Sequence, residues 1–221
     1  MKYWHRPRCQ GGGRADIRVM KLPEKVPVMV LPGSSLFPHA MLPLFIFEPR
    51  YRAMLQSALE TDRMFCIAMV RPGVEDWVNS EDFHHVAGIG LVRACVGRED
   101  GTSNLVLQGL ARVRFQGFTR TDPFYVARIE EIPSIPAEDP VADALAAKAR
   151  ELCRRFKERD LELPAQLEQY LAQIHEPGVL ADVIANTFVG DAAERQRLLE
   201  QAEEGRRLRM LIKCLKRELN D

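Results

Sequence analysis

The chain has 221 residues, of which 46% are hydrophobic and 28% are charged, and its 31 basic residues balance its 31 acidic residues. This length allows one or two domains that bury their own cores without disulfides or metals. A net charge of zero argues against a general binder of polyanions, whose affinity comes from neutralising phosphates. No apolar run approaches the ~20 residues of a membrane span, so we expect no membrane partner.

The first segment, residues 1–22, differs from the rest of the chain. It contains a glycine triplet and scattered charges without a helical or strand period, so we predict a flexible N-terminal tail. Its basic residues are not followed by an apolar stretch, which argues against a secretory signal. His5 and Cys9 are only two of the three or four ligands that zinc needs, and we predict no metal site there.

The cysteines are five in number, widely spaced and without a CxxC motif. This pattern is typical of a reducing compartment, and we therefore expect a cytoplasmic protein. Four of the five lie inside predicted helices or strands, where free cysteine packs as a small hydrophobe. The five are Cys9, Cys66, Cys95, Cys153 and Cys214.

Residues 26–59 predict the order strand, loop, strand, helix. Two apolar runs, 26–31 and 42–47, are separated by a segment rich in Pro, Gly and Ser. Pro43 places the start of the second strand at a sheet edge or bulge. Pro49 suits the first turn of a helix, whose apolar face carries Tyr51, Met54, Leu55, Ala58 and Leu59.

Four further strands are predicted before residue 136. Glycines within them, Gly88, Gly90 and Gly109, indicate bulges or sharp bends, and Asp100-Gly101 indicates a hairpin turn. Short strands separated by turns, with one inserted helix, predict a small β-barrel or sandwich domain over 23–136. The four strands are 64–70, 86–96, 103–118 and 124–132.

The period becomes helical after a proline-rich linker at 132–140. Asp139 and Pro140 can begin the first helix, and Asp191 can cap a later one as part of a capping box. The last helix places five apolar residues on one stripe, Leu208, Leu211, Ile212, Leu215 and Leu219. Residues 139–221 therefore predict an all-helical bundle of four or five helices, and the whole chain an α+β protein.

Three motifs resemble, in this order, the N-terminal substrate-binding domain of Lon proteases. They are VPVMVLPGSSLFPHAMLPLFIFEPRYRAML (26–55), the glycine-containing strands VAGIGLVRACVGREDGTSNLVLQGLARVRF (86–115), and LADVIANTF (180–188) with the helix after it. The resemblance covers roughly 26–219. It implies a PUA-like β-barrel followed by a helical subdomain, no cofactor, and the capture of unfolded or tagged proteins beside a Lon-type protease system.

A Lon protease also needs an ATPase and a protease. The chain contains no GxxxxGK[ST] motif for cradling phosphates, and it ends at Asp221, about where the ATPase would begin. We therefore expect a stand-alone, non-enzymatic binding protein that uses no cofactor and no metal. Ser34-Ser35 indicates a turn rather than a nucleophile, and the adjacent side chains of His84 and His85 point to opposite faces of a strand.

The candidate binding residues are the aromatic and methionine side chains of the first motif. Large apolar side chains of this kind are mostly core residues, but Phe37 and Met41 fall in a loop, where not every such side chain can be buried. An exposed patch there would bind unfolded or apolar polypeptide segments, and this is the binding site that we predict. The candidates are Phe37, Met41, Phe45 and Phe47.

Two alternative functions rest on other residues. An RNA-binding barrel would use Arg112, Arg114, Arg120 and Arg128 for phosphate contacts. The basic side of the last helix suits a membrane surface or nucleic acid, although a core-facing helix with cations near its C-terminal end is the favoured interpretation; its cations are Arg206, Arg209, Lys213, Lys216 and Arg217. A hydrolase has no support, because no nucleophile has an orienting base.

Overall fold

The computed structural model describes residues 21–75, 77–157 and 165–220. The strands are β1 (Lys25–Leu31), β2 (Met41–Ile46), β3 (Met64–Met69), β4 (Val86–Gly97), β5 (Ser103–Arg120) and β6 (Tyr125–Glu131). The helices are α1 (Pro49–Leu59), α2 (Asp139–Lys157), α3 (Ala165–Gln173), α4 (Pro177–Phe188), α5 (Ala192–Glu200) and α6 (Glu204–Glu218), with a 3₁₀ turn at Ser80–Asp82. His5 and Cys9 lie outside the described residues.

Five of the six strands form a closed barrel, and the sixth, β2, is an edge strand that pairs with β5. Strand order is β2-β5-β4-β3-β1-β6, and an additional pairing of β5 with β6 closes the ring. The 18-residue β5 makes closure possible, because its first half pairs with β2 and β4 and its second half with β6. The β1–β3 pair is parallel and the others are antiparallel. The prediction of a β-barrel with one inserted helix is confirmed.

Glycines in β4 and β5 let a loop lie directly on the barrel. The register between these strands shifts beside Gly90 and Gly109, which confirms the predicted bulge. A Cβ atom on Gly88 would lie 1.9 Å from the carbonyl oxygen of Leu36, and one on Gly109 would lie 1.9 Å from that of Phe37. The loop between β1 and β2 can approach this closely only because both positions lack a side chain.

The helix α1 covers one face of the sheet. Its buried residues pack with Met29, Phe65 and Leu107 in one hydrophobic cluster. The Tyr51 hydroxyl donates to the carbonyl oxygen of Val30 at 2.6 Å and accepts from its N–H at 3.2 Å, which joins α1 to β1. Burial raises the pKa of this phenol, so it remains a donor at neutral pH.

The five later helices form a bundle in which α2, α4 and α6 pack together. The predicted stripe of α6 is buried in the bundle core, with Leu208, Leu211 and Leu215 at 0% exposure. Asp191 caps α5 by accepting a 2.7 Å hydrogen bond from the Glu194 N–H, as predicted. In the described part of the chain, no helix is long and apolar enough to cross a membrane.

The cysteines of the described residues differ in accessibility. Cys66, Cys153 and Cys214 are buried, as expected for small core residues, whereas Cys95 is half-buried. Burial raises the pKa of the Cys66 thiol and raises that of Cys153 to about 12. Both thiols therefore stay protonated and shielded at neutral pH.

We expect N-ethylmaleimide to modify Cys95 much faster than Cys66 and Cys153 in the folded protein. Mass spectrometry of tryptic peptides after timed labelling measures the three rates. In 6 M guanidinium the rates should converge, because unfolding removes the burial. Equal rates in native buffer would contradict the packing of the two cores.

Candidate functional site

An exposed apolar surface lies on the edge strand β2. Exposed residues alternate with inward-facing ones, because successive side chains of a strand point to opposite faces. Leu42, Leu44 and Ile46 pack toward α1. The opposite face presents Met41, Pro43, Phe45 and Phe47, which we call the β2 surface; exposure is 52% for Met41, 49% for Phe45 and 58% for Phe47.

The aromatic rings of the β2 surface form an ordered pair. The ring centroids of Phe45 and Phe47 are 5.8 Å apart with the planes inclined by 25°. The guanidinium of Arg98 lies 5.3 Å from the Phe45 ring centre, within the range of a cation–π interaction. Stacking keeps both rings side by side at the surface, where each can contact an apolar ligand.

The surface continues onto a second strand that the sequence did not indicate. Phe45 lies opposite Asn104 of β5, and Asn104 lies opposite Val96 of β4. Opposed residues share a face, so Val96, which is 67% exposed, adds a second apolar area on the same face, with the polar Asn104 between it and Phe45. The hairpin turn at Asp100-Gly101 aligns Val96 with Asn104, and the register of β2 with β5 aligns Asn104 with Phe45.

The backbone edge of β2 is less suited to binding than its face. Within the described residues, β2 pairs with β5 alone. Proline has no N–H to donate, so Pro43 interrupts the row of donors along this strand, a feature that protects edge strands from adding a further strand. The side chains on the face of β2, rather than its backbone edge, are therefore the candidate contact surface.

The candidate Phe37 does not belong to this surface. It is fully buried and packs into the core of the helical bundle, while its neighbour Leu36 packs into the barrel cluster under α1. The expectation of an exposed Phe37 is therefore wrong. The loop between Leu31 and Met41 instead connects the two cores, because Leu36 packs into the barrel and the adjacent Phe37 packs into the helical bundle.

Polar contacts hold the same loop to α5. The hydroxyl of Ser35 donates to Oε1 of Gln196 at 3.3 Å, and Arg195 donates to the carbonyl oxygen of Gly33 at 2.8 Å. The turn predicted from this Pro/Gly/Ser segment is present at Pro32 and Gly33. Ser35 thus serves the contact between barrel and bundle.

His84 and His85 immediately precede β4 and contact different partners. Nδ1 of His84 lies 2.9 Å from a carboxylate oxygen of Glu200, and Nε2 of His85 lies 2.8 Å from the carbonyl oxygen of Ser80. The two rings therefore serve different contacts. In the described ranges, no group of three or more His, Cys, Asp or Glu side chains could hold a metal ion.

Arg112, one of the four arginines proposed for RNA contacts, is not at the surface. Its side chain is 2% exposed and forms an ion pair with Asp182 of α4. Its Nε also donates to the carbonyl oxygen of Leu199 at 2.9 Å. The assignment of Arg112 to phosphate contacts is therefore wrong, although Arg114, Arg120 and Arg128 are exposed.

The family of the ATP-dependent protease La (LON) substrate-binding domain matches residues 25–217. Among curated relatives, the Lon protease of Xanthomonas oryzae pv. oryzae is 30% identical over 196 residues, with 88% of this chain and 23% of the relative covered. The Lon protease of Syntrophus aciditrophicus is 30% identical over 208 residues, with 92% of this chain and 26% of the relative covered. The chain thus spans about a quarter of the length of these relatives.

Solved structures show the same fold. The N-terminal domain of the Mycobacterium avium complex Lon protease superposes with a TM-score of 0.70 at 21% identity, covering 87% of this chain and 98% of that one. A Lon N-terminal domain protein from Xanthomonas campestris gives a TM-score of 0.60 at 21% identity, covering 86% of this chain and 97% of that one. The predicted barrel with a helical subdomain is therefore the fold of Lon N-terminal domains.

Proposed function

Because this chain belongs to the family of Lon substrate-binding domains, we propose that it binds unfolded or apolar segments of other proteins and catalyses no reaction on them. The observation that carries this proposal is the β2 surface, where two stacked phenylalanines and a methionine are about half exposed. Contiguous exposed apolar side chains of this kind mark interaction sites.

The β2 surface suits weak and tolerant binding. Complete burial of one large apolar side chain contributes about 1.5–3 kcal/mol, so covering the exposed half of each phenylalanine contributes about 1 kcal/mol. Methionine adapts its shape to different ligands, and Phe rings accept many apolar partners. Such a surface binds many unfolded sequences with modest affinity, which is what a substrate-recognition module requires.

The cellular role that follows is substrate recognition beside a Lon-type protease system in the cytoplasm. The relatives are Lon proteases, and an apolar segment held on β2 would be presented to such an enzyme. We assign the binding to the barrel part, residues 23–136. The helical part, 139–221, supports it through the loop that enters both cores.

Replacing Phe45 and Phe47 together by serine should weaken binding of an unfolded protein at least about tenfold, because ~2 kcal/mol of apolar burial is lost. The probe is fluorescein-labelled, reduced and carboxymethylated lactalbumin, and the readout is fluorescence anisotropy. Tyr170→Ser is the matched control, because Tyr170 is an aromatic residue of α3 with 46% exposure, far from β2 in sequence. It should leave the affinity unchanged.

Salt separates this proposal from the RNA-binding alternative. Apolar binding should change little between 50 and 500 mM NaCl, whereas binding through phosphate contacts falls steeply. The proposal fails if the unfolded probe does not bind at all, or if both variants bind it equally. A labelled RNA that binds with a steep salt dependence, and that loses affinity in Arg120→Glu, would favour the alternative.

A further inference from the structure

A second surface lies on α6, away from β2. The apolar stripe of this helix is buried, and the exposed side carries only basic residues along its length: Arg206, Arg209, Lys213, Lys216 and Arg217. The chain as a whole has no net charge, so this face is a local concentration of positive charge. Its potential favours anionic partners.

Ion pairs within the protein neutralise only part of this charge. Arg206 pairs with Glu203 at 2.8 Å, and Arg217 pairs with Glu194 at 3.3 Å. Among the described residues, no carboxylate lies within 4.0 Å of the charged groups of Arg209, Lys213 or Lys216. These three follow at i, i+4 and i+7, so they form one line about 10 Å long on the helix.

A pocket of about 250 Å³ adjoins the N-terminal end of this line, and its lining combines aliphatic side chains with the charged Glu138, Glu203 and Arg206. Ile135 and Val141 line it and are 54% and 41% exposed, and Arg209 stands at its margin. Backbone hydrogen bonds hold its wall in place: the Ile135 N–H donates to the Ala202 carbonyl oxygen, and the Glu204 N–H donates to that of Ile135, both at 3.0 Å. The pocket therefore exists before any ligand binds.

We propose that this surface binds an acidic polypeptide segment that carries one large apolar side chain. The apolar side chain enters the pocket beside Ile135 and Val141. The carboxylates that follow it contact Arg209, Lys213 and Lys216 along the helix. Charge complementarity and the adjoining pocket together define the partner, because neither feature alone would select an acidic segment with an apolar end.

The same features disfavour other anionic partners. A membrane-bound amphipathic helix inserts its apolar face into lipid, but that face of α6 is buried in the bundle. Single-stranded nucleic acid uses aromatic side chains to stack its bases, and the pocket is lined by aliphatic and charged residues. A polypeptide uses both the pocket and the cations.

Fluorescence anisotropy with a synthetic peptide tests the proposal. The probe is a fluorescein-labelled peptide with one leucine followed by alternating Glu and Asp. Lys213→Glu should weaken its binding about fivefold, and Ile135→Ser about threefold. Arg128→Glu is the control, since Arg128 is an exposed cation on β6, and it should have no more than the small effect of changed net charge.

Further probes decide among the outcomes. A second peptide has serine in place of the leucine. The unaltered protein should bind it more weakly than the leucine peptide, whereas the Ile135→Ser protein should bind the two peptides with equal affinity. The Phe45→Ser, Phe47→Ser protein should bind the acidic peptide normally, so this proposal does not depend on the β2 surface. Equal effects of Lys213→Glu and Arg128→Glu would overturn it. So would RNA or phosphatidylglycerol vesicles binding more tightly than the peptide.

Discussion

Replacing Asp182 by alanine should lower the free energy of unfolding by about 3–5 kcal/mol, because it leaves two buried arginines without their shared anion. Asp182 lies on α4 and its side chain is 4% exposed. Arg112 of β5 forms an ion pair with its Oδ1, and Nε of Arg207 on α6 lies 3.1 Å from the same oxygen. The carboxylate therefore joins the barrel to two helices of the bundle.

The two arginines remain fixed by other bonds when the aspartate is removed. Arg207 donates to the carbonyl oxygen of Gln201 at 2.8 Å and to the hydroxyl of Ser134 at 3.3 Å. Burial lowers the pKa of Arg207, and the neighbouring Asp182 acts in the opposite direction. Without Asp182, the Arg112 and Arg207 charges repel each other in a site that water cannot reach.

Urea unfolding followed by circular dichroism measures the effect. Glu151→Ala is the control, because this carboxylate of α2 pairs with Lys148 at the surface and contributes little. A triple variant, Asp182→Leu with Arg112→Met and Arg207→Met, should recover most of the lost stability, since apolar side chains can replace a buried ionic group. A loss from Asp182→Ala no larger than that from Glu151→Ala would contradict this account of the interface.

Local signals explain why the elements could be predicted from the sequence. The α6 leucines repeat at helical spacing, Asp191 stands where a helix cap is needed, and Pro43 marks an edge strand. Each of these signals depends on residues within one or two turns of one another. The structure confirms them because local geometry and tertiary packing favour the same conformation.

Contacts between distant segments could not be predicted in this way. Arg112 and Asp182 are 70 residues apart, and the alternation of β5 gives Arg112 the same pattern as an exposed arginine. Phe37 lies in a segment of turn residues, and its burial depends on the helical bundle that begins about a hundred residues later. In both cases a partner from the other half of the chain determines the environment.

The candidate site likewise contains residues that local sequence signals indicate and one residue that depends on contacts between distant segments. The aromatic and methionine content of the first motif was enough to indicate Met41, Phe45 and Phe47, although the continuous apolar run 42–47 does not itself show which face of β2 is exposed. Val96 was missed because its alignment with Phe45 passes through Asn104, which pairs with Val96 of β4 on one side and with Phe45 of β2 on the other. The pairing of β2 with β5 joins segments that are distant in sequence, and a one-residue change in that register would move Phe45 to the other face.

The second large loss of stability is expected at the glycines on which the loop between β1 and β2 lies. Gly88→Ala and Gly109→Ala should each lower the free energy of unfolding by about 3 kcal/mol, the upper end of the usual cost of overpacking. The added methyl would overlap a backbone carbonyl oxygen of Leu36 or Phe37, 1.9 Å away. A flexible side chain could move aside, but these carbonyls belong to a loop held by both cores.

Gly97→Ala is a matched control in the same strand as Gly88. A Cβ atom there would have its nearest neighbour, the Ser103 hydroxyl oxygen, at 3.9 Å, an ordinary contact. Urea unfolding should therefore distinguish Gly97→Ala, with little change, from Gly88→Ala and Gly109→Ala. Hydrogen exchange adds a local readout, because the His39 N–H donates to the Gly109 carbonyl oxygen at 2.9 Å.

The His39 N–H should exchange faster in Gly109→Ala than in the unaltered protein, even where the rest of the barrel keeps its protection from exchange. The displaced loop would also withdraw Phe37 from the bundle core, so protection in α4 and α6 should fall with it. If Gly109→Ala destabilised the barrel alone, the loop would not couple the two cores. Loss of protection in both parts would identify the Leu36–Phe37 segment as the element that makes them unfold together.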